Sequence, residues 1–62
     1  MRVEIGQLHI GDEIVLPGDL GGIVTDLVTF PNSFRAEVHT TMGTLWAANL
    51  GETVIRTRKG VR

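Results

Sequence analysis

Phe34-Arg35-Ala36-Glu37-Val38-His39-Thr40 decides the fold. Apolar and polar side chains alternate through it without a break, which marks a strand with one dry face and one wet face. Phe34, Ala36 and Val38 take one face, and Arg35, Glu37 and His39 take the other. Thr41-Met42-Gly43-Thr44 then makes a short joint to a second apolar run, Leu45-Trp46-Ala47-Ala48. A left-handed Gly43 suits a tight hairpin with a bulge, so the two runs are expected as neighbouring antiparallel strands.

Upstream, the eight glycines and two prolines of the chain punctuate further short strands. Gln7 to Gly11 reads as a lead-in, and Gly11-Asp12 as a turn opening the run Glu13-Ile14-Val15-Leu16, too short and too β-branched for a helix. Pro17 presets the first corner of a turn and Gly18 accepts the positive φ of the second. After Gly21-Gly22 comes a second β-rich run, Ile23 to Thr29, ending at the turn Phe30-Pro31-Asn32-Ser33. Past the hairpin, Asn49-Leu50-Gly51-Glu52 fits a single 3₁₀ turn before a last strand, Thr53 to Thr57. The expectation is an all-β domain of five short strands.

This order resembles the small SH3-like barrels. Gly11-Asp12-Glu13-Ile14-Val15-Leu16 followed by Gly21-Gly22-Ile23-Val24 is similar to the opening of the KOW/Tudor version, and the resemblance covers roughly residues 8 to 57. It implies a five-stranded SH3-like barrel with one 3₁₀ turn before the last strand, filling residues 1 to 62 as one domain with 58 to 62 a basic C-terminal tail. The pattern is also similar to that of small proteins from actinobacteria and their phages. KOW segments carry basic residues between their glycines. Here Asp19 and Leu20 stand there, which counts against carrying over RNA binding.

Composition narrows the function classes. A chain of 62 residues buries only ~60% of its unfolded surface and holds one small core, for which self-association is a natural support. The absence of cysteine removes a disulfide framework and a Cys-ligated zinc site, and points to a reducing compartment, the cytoplasm. The resemblance to actinobacterial and phage proteins implies that of a bacterial cell, free or phage-infected. The longest apolar runs, Ile14 to Pro17 and Leu45 to Ala48, fall far short of the ~20 residues that cross a bilayer, and no secretory leader is read at the start. The net charge of −1 hides an asymmetry. Residues 1 to 55 hold two basic and seven acidic side chains, net −5, whereas residues 56 to 62 hold Arg56, Arg58, Lys59 and Arg62, net +4. The last stretch reads either as a solvated end or as an arm for phosphate or an acidic partner.

The side chains that carry chemistry make a thin set. Two histidines thirty residues apart, His9 and His39, with Asp12 and Glu13 near the first, fall short of the about four convergent ligands a structural metal site needs. Ser33 is the only serine and has no histidine at local spacing, and Asp12 and Glu13, adjacent on a strand, point to opposite faces. Gly18, Gly21 and Gly22 lack the lysine and helix of a phosphate loop. No catalytic residue, cofactor or metal is therefore expected. Trp46 is the pivotal side chain. In the fourth strand either Leu45 and Ala47 or Trp46 and Ala48 face inward, and with three aromatics in the chain the core is the expected place for the tryptophan. Phe30 and Phe34 are expected to plug one open end of the barrel. Turned outward, the same rings would form an interface patch.

These observations point to a small non-enzymatic module. It is expected to bind a protein partner, or itself as a homo-oligomer, through an exposed sheet edge or an aromatic patch made of Trp46, Phe30, Phe34, Arg35 and His39. The alternative is weak nucleic-acid binding, with Arg56, Arg58, Lys59 and Arg62 on phosphates and Trp46 stacking a base.

Overall fold

A computed structural model describes residues 1–30 and 32–60. The chain is all-β: β1 (Arg2–Glu4), a 3₁₀ turn (Ile5–Gln7), β2 (Glu13–Leu16), β3 (Leu20–Thr29), β4 (Ala36–Thr40), β5 (Gly43–Ala47) and β6 (Thr53–Arg58). The strands form one antiparallel sheet in the order β1-β6-β2-β3-β4-β5. Its two outer strands, β1 and β5, pair on one side only. Val3 near one edge and Ala47 at the other nonetheless join a single buried cluster with Ile5, Leu8, Ile14, Leu16, Val24, Ala36 and Val38. A sheet whose two edges share one core is wrapped around it, with the apolar face inside.

Five of these strands match the runs expected from the sequence. The first does not. Arg2–Glu4 has too few residues for periodicity to register, and it is a strand because its backbone pairs with β6 through Arg2↔Ile55, Val3↔Val54 and Glu4↔Thr53. The Met1 carbonyl extends that pairing by accepting the Arg56 N–H at 2.7 Å. The 3₁₀ turn is also displaced from its expected place. It lies at Ile5–Gln7, where buried Ile5 anchors it and the Gln7 side chain accepts the Glu4 N–H. Asn49 to Glu52, expected as 3₁₀, is instead a turn held by its own side chains. The Glu52 carboxylate accepts the N–H groups of Ala48 and Asn49, and Asn49 Oδ1 accepts that of Gly51.

The bulge also moves. β4 and β5 pair without a shift from Ala36↔Ala47 to Thr40↔Gly43, so their hairpin has none, and Gly43 lies at φ 134° rather than in the left-handed helical region. One irregularity sits in β3, between Val24↔Thr40 and Asp26↔His39, and another in the pairing of β2 with β6, between Glu13 and Ile14. The first matters for the site. It changes which residues face inward: Gly22 and Val24 are buried before it, whereas Leu27 packs on the core after it. β3 thereby serves two partners, β2 with its first half and β4 with its second. Gly22 allows the close approach this requires, since a Cβ there would stand 2.7 Å from Thr40 Oγ1.

Candidate interface at the β4–β5 edge

Cross-strand register sets out the face of the β3–β4–β5 region. Leu27, Val38 and Leu45 lie side by side, and so do Thr29, Ala36 and Ala47; both rows include core residues. The intervening rows point away from the core: Val28, Glu37 and Trp46 in one, Asp26, His39 and Thr44 in the other. Trp46 is therefore not core. Its side of the strand is fixed by Val38↔Leu45, and it stands 70% exposed on the outermost strand. The core tolerates its absence because β-branched and leucine side chains, with Ala36 and Ala47, fill the narrow interior.

Phe30 and Phe34 also depart from the expected plug. Phe30 is 39% exposed and Phe34 80% exposed. The alternation that placed Phe34 inward ends before it reaches that residue, because β4 begins at Ala36 and residues 32 to 35 belong to the preceding loop. The loop turns as expected, with the Ser33 N–H donating to the Phe30 carbonyl at 3.0 Å, and Ser33 Oγ accepts the Arg35 N–H. Pro31 of that turn lies outside the described residues.

Together these elements shape a surface cleft of about 460 Å³ lined by Phe30, Ser33, Arg35, Trp46, Ala47 and Ala48. Arg35, the residue before β4, and Ala48, the residue after β5, both line it. Of the residues expected to form a patch, Phe30, Arg35 and Trp46 are brought together here. Phe34 is not among the lining residues, and His39 sits two rows further along. His39 Nε2 lies 3.1 Å from Glu37 Oε1 and its Nδ1 3.3 Å from Thr44 Oγ1. This is the polar ladder expected of β4, extended across to β5. Arg35 takes no part in it. The ion pairs among the described residues are Glu37–His39 and Asp12–Arg56, which leaves Arg35 as a free cation on this face.

A second polar constellation escaped the sequence. Asp12 is wholly buried. Its Oδ2 accepts the His9 N–H at 2.9 Å and faces Arg56 Nη1 at 3.5 Å, and its Oδ1 accepts the Gly60 N–H at 2.6 Å. Burial pushes the Asp12 carboxyl up, but the two backbone donors from Gly60 and His9, with the Arg56 guanidinium, outweigh it and hold the group below the ordinary aspartate value. The Asp12 backbone is equally committed, donating to the His9 carbonyl and accepting from Val24 N–H. The carboxylate thus pins the first loop to the end of β6. Nothing about it is free for a substrate or a metal, and no group of three or more His, Cys, Asp or Glu side chains converges among the described residues.

This clasp also places the basic stretch. Arg56 and Arg58 belong to β6, Arg56 is spent on Asp12, Lys59 is exposed, and Arg62 lies outside the described residues. β6 is separated from β5 by β2, β3 and β4 in the sheet, and among the described residues none of the basic stretch lines the Trp46 cleft.

No protein-family model, curated protein or solved structure matches the chain. The reading of function rests on these residues and their arrangement.

Proposed function

We propose that this protein is a small non-enzymatic binding module whose working surface is the β4–β5 edge, and that it engages a protein partner or a second copy of itself there. The observation that carries the reading is Trp46, a large ring held in solvent on an outermost strand and beside an apolar cleft. A tryptophan so placed contributes nothing to the core and leaves apolar area in water, which is the arrangement of an interface anchor. A module of the SH3-like type fits the same picture. The pairing of β6 back on β2 and the shared core of the two sheet edges support it, with β1 as an additional strand. We place the module in the cytoplasm, where a cysteine-free chain has no need of an oxidising compartment.

Nucleic-acid binding is the weaker reading. It needs the basic stretch and Trp46 on one surface, and Arg56 is engaged internally while the remaining cations of β6 sit strands away from the ring. Capture of partners from the native host on immobilised wild-type protein, compared with Trp46→Ala, tests the proposal. Trp46→Ala is expected to keep the thermal midpoint and lose the captured protein, and light scattering over a concentration series reports whether that protein is a second copy. Retention of the same partner by Trp46→Ala overturns the reading.

A further inference from the structure

The sheet ends in two edges, β5 and β1, and the bonds around each fix which backbone groups it leaves open. Thr40↔Gly43 flanks a two-residue hairpin loop, so this pair exchanges both backbone hydrogen bonds, and by alternation so do Val38↔Leu45 and Ala36↔Ala47. Thr44 and Trp46 therefore turn their N–H and C=O groups away from β4. Ala48 has the same phase, but the Glu52 carboxylate already holds its N–H and closes the edge there. On β1, Met1 and Arg56 exchange backbone hydrogen bonds and the Ile5 N–H donates to the Glu52 carbonyl. Arg2 and Glu4 therefore turn their groups away from β6, and of these only the Glu4 N–H has a partner, Gln7 Oε1 at 3.3 Å. Each edge thus offers two outward residues around an inward apolar one, Thr44-Leu45-Trp46 and Arg2-Val3-Glu4. Within one copy the two edges do not pair, and both Arg2 and Leu45 line a cleft of about 290 Å³.

We propose that the occupant of the β5 edge is a second copy of this chain, whose β1 adds antiparallel to β5 with its Arg2 opposite Trp46, Val3 opposite Leu45 and Glu4 opposite Thr44, so that copies join head to tail. The inference rests on the β4–β5 edge being the working surface, and names what binds there. Backbone, face and charge select the same register. It sets the outward groups of Arg2 against those of Trp46 and the outward groups of Glu4 against those of Thr44. A shift of two residues one way meets the Ala48 N–H that Glu52 holds, and the other way runs off the strand. The inner face continues from Val38 through Leu45 to Val3, apolar throughout. On the outer face the Arg2 guanidinium lies against the Trp46 ring with Glu37 one strand behind it, and Glu4 lies against the Thr44 hydroxyl with His39 behind. Arg2 is available for this: it has no ion pair among the described residues, and its guanidinium rests on Thr53 Oγ1 at 3.1 Å. Parallel addition would instead carry Glu4 toward Trp46 and Glu37. Two β5 edges paired with each other would give the ring no cation and leave both β1 edges open. A net charge of −1 per chain keeps repulsion between copies small.

The test blocks one edge at a time and reads mass by light scattering over a concentration series. Thr44→Pro removes an outward N–H from β5 and Arg2→Pro one from β1, and proline is tolerated where an edge N–H faces solvent. Wild type is expected to grow past two chains, because head-to-tail joining leaves one open edge at each end. Each proline variant alone is expected to stay a single chain, and an equal mixture of the two to give two chains, one lending β1 and the other β5. Association of Arg2→Pro alone would mean that two β5 edges pair, and association of Thr44→Pro alone that two β1 edges pair; either overturns the head-to-tail register. Arg2→Glu, an exposed change that disturbs no core residue, sets a like charge before Glu37 and is expected to weaken association at least tenfold. It also tests the register should a proline variant fail to fold, and association unchanged by it overturns the contact of Arg2 with Trp46. The single tryptophan gives a second readout, since its emission is expected to shift as wild type associates. Wild type that stays a single chain over the whole soluble range overturns the proposal. The working-surface reading is judged separately: a chain that stays single yet captures a host protein through Trp46 keeps that reading and loses this one.

Discussion

Two arginines, each near the end of a strand, show how differently the two ends of this sheet are used. Arg56 on β6 faces a fully buried carboxylate that also collects backbone N–H groups from His9 and Gly60. Arg35, just before β4, faces a cleft and has no acidic partner among the described residues. At the first end the buried carboxylate is answered on both oxygens from within the chain, and the result is structural closure. At the second, a cation and a tryptophan are left without internal partners, which stabilises nothing and suits contact with another molecule. A buried polar network and an exposed aromatic edge are thus complementary signs. The first marks where the fold is held together, the second where it is left incomplete.

The comparison breaks most visibly at Asp12. Asp12→Ala leaves Arg56 and two backbone donors unanswered in a dry site, and is expected to cost about 3–5 kcal/mol, much of the stability of so small a domain. Urea denaturation would show it as a collapsed or absent folded baseline, while a change below about 1 kcal/mol would mean the clasp is ornamental. Gly60→Ala probes the same clasp through space alone. A Cβ there would stand 2.7 Å from the Gly11 carbonyl carbon and 2.9 Å from the Asp12 nitrogen. It is expected to cost about 1–3 kcal/mol by displacing the N–H from the carboxylate.

Acid sharpens the contrast further. Because folding lowers the Asp12 pKa, its contribution is fully present above the ordinary value of 3.8 and is lost as the pH falls through the lower folded value. Asp12→Asn should therefore be less stable than wild type at neutral pH and lose less of its stability on going below pH 3.8, measured as urea midpoints across a pH series. Parallel curves for the two proteins would assign the acid limb to other carboxylates. The smallest effects belong to the other end. Arg35→Ala and Trp46→Ala are expected to leave the urea midpoint nearly unchanged, within about 0.5 kcal/mol, although both remove cleft residues. A larger loss for Trp46→Ala would give the ring a structural share and weaken the division of labour between the two ends.

How much of this was legible in the sequence depends on how far each signal had to reach. β4 declared itself through unbroken alternation, and β2, β3, β5 and β6 through short β-rich runs between glycines, prolines and asparagines. The direction of Trp46 was not legible. Leu45-Trp46-Ala47-Ala48 is apolar at every position, so the run has no phase of its own, and composition argued for burying the largest ring. Pairing with β4 supplied the phase, by setting Leu45 beside the buried Val38. Phe34 was misplaced for the opposite reason: the alternation ran on past the point where hydrogen bonding stopped. Of the interface residues, Phe30, Arg35 and Trp46 were named from the sequence, but their convergence with Ser33, Ala47 and Ala48 in one cleft was not.

The Asp12 clasp is the clearest case of a feature beyond local reading. Its partners lie 44 and 48 residues away, and no spacing rule connects them. A strand as short as Arg2–Glu4 likewise exists only because β6 has a free side to pair with. The sequence by itself determined an all-β chain and most of its strands, because β-branching, alternation and turn residues act within a few positions. Tertiary structure alone decided which face of β5 is dry, which arginine is spent and which is left open. Those outcomes depend on register and burial, which come into being only when distant strands are laid side by side.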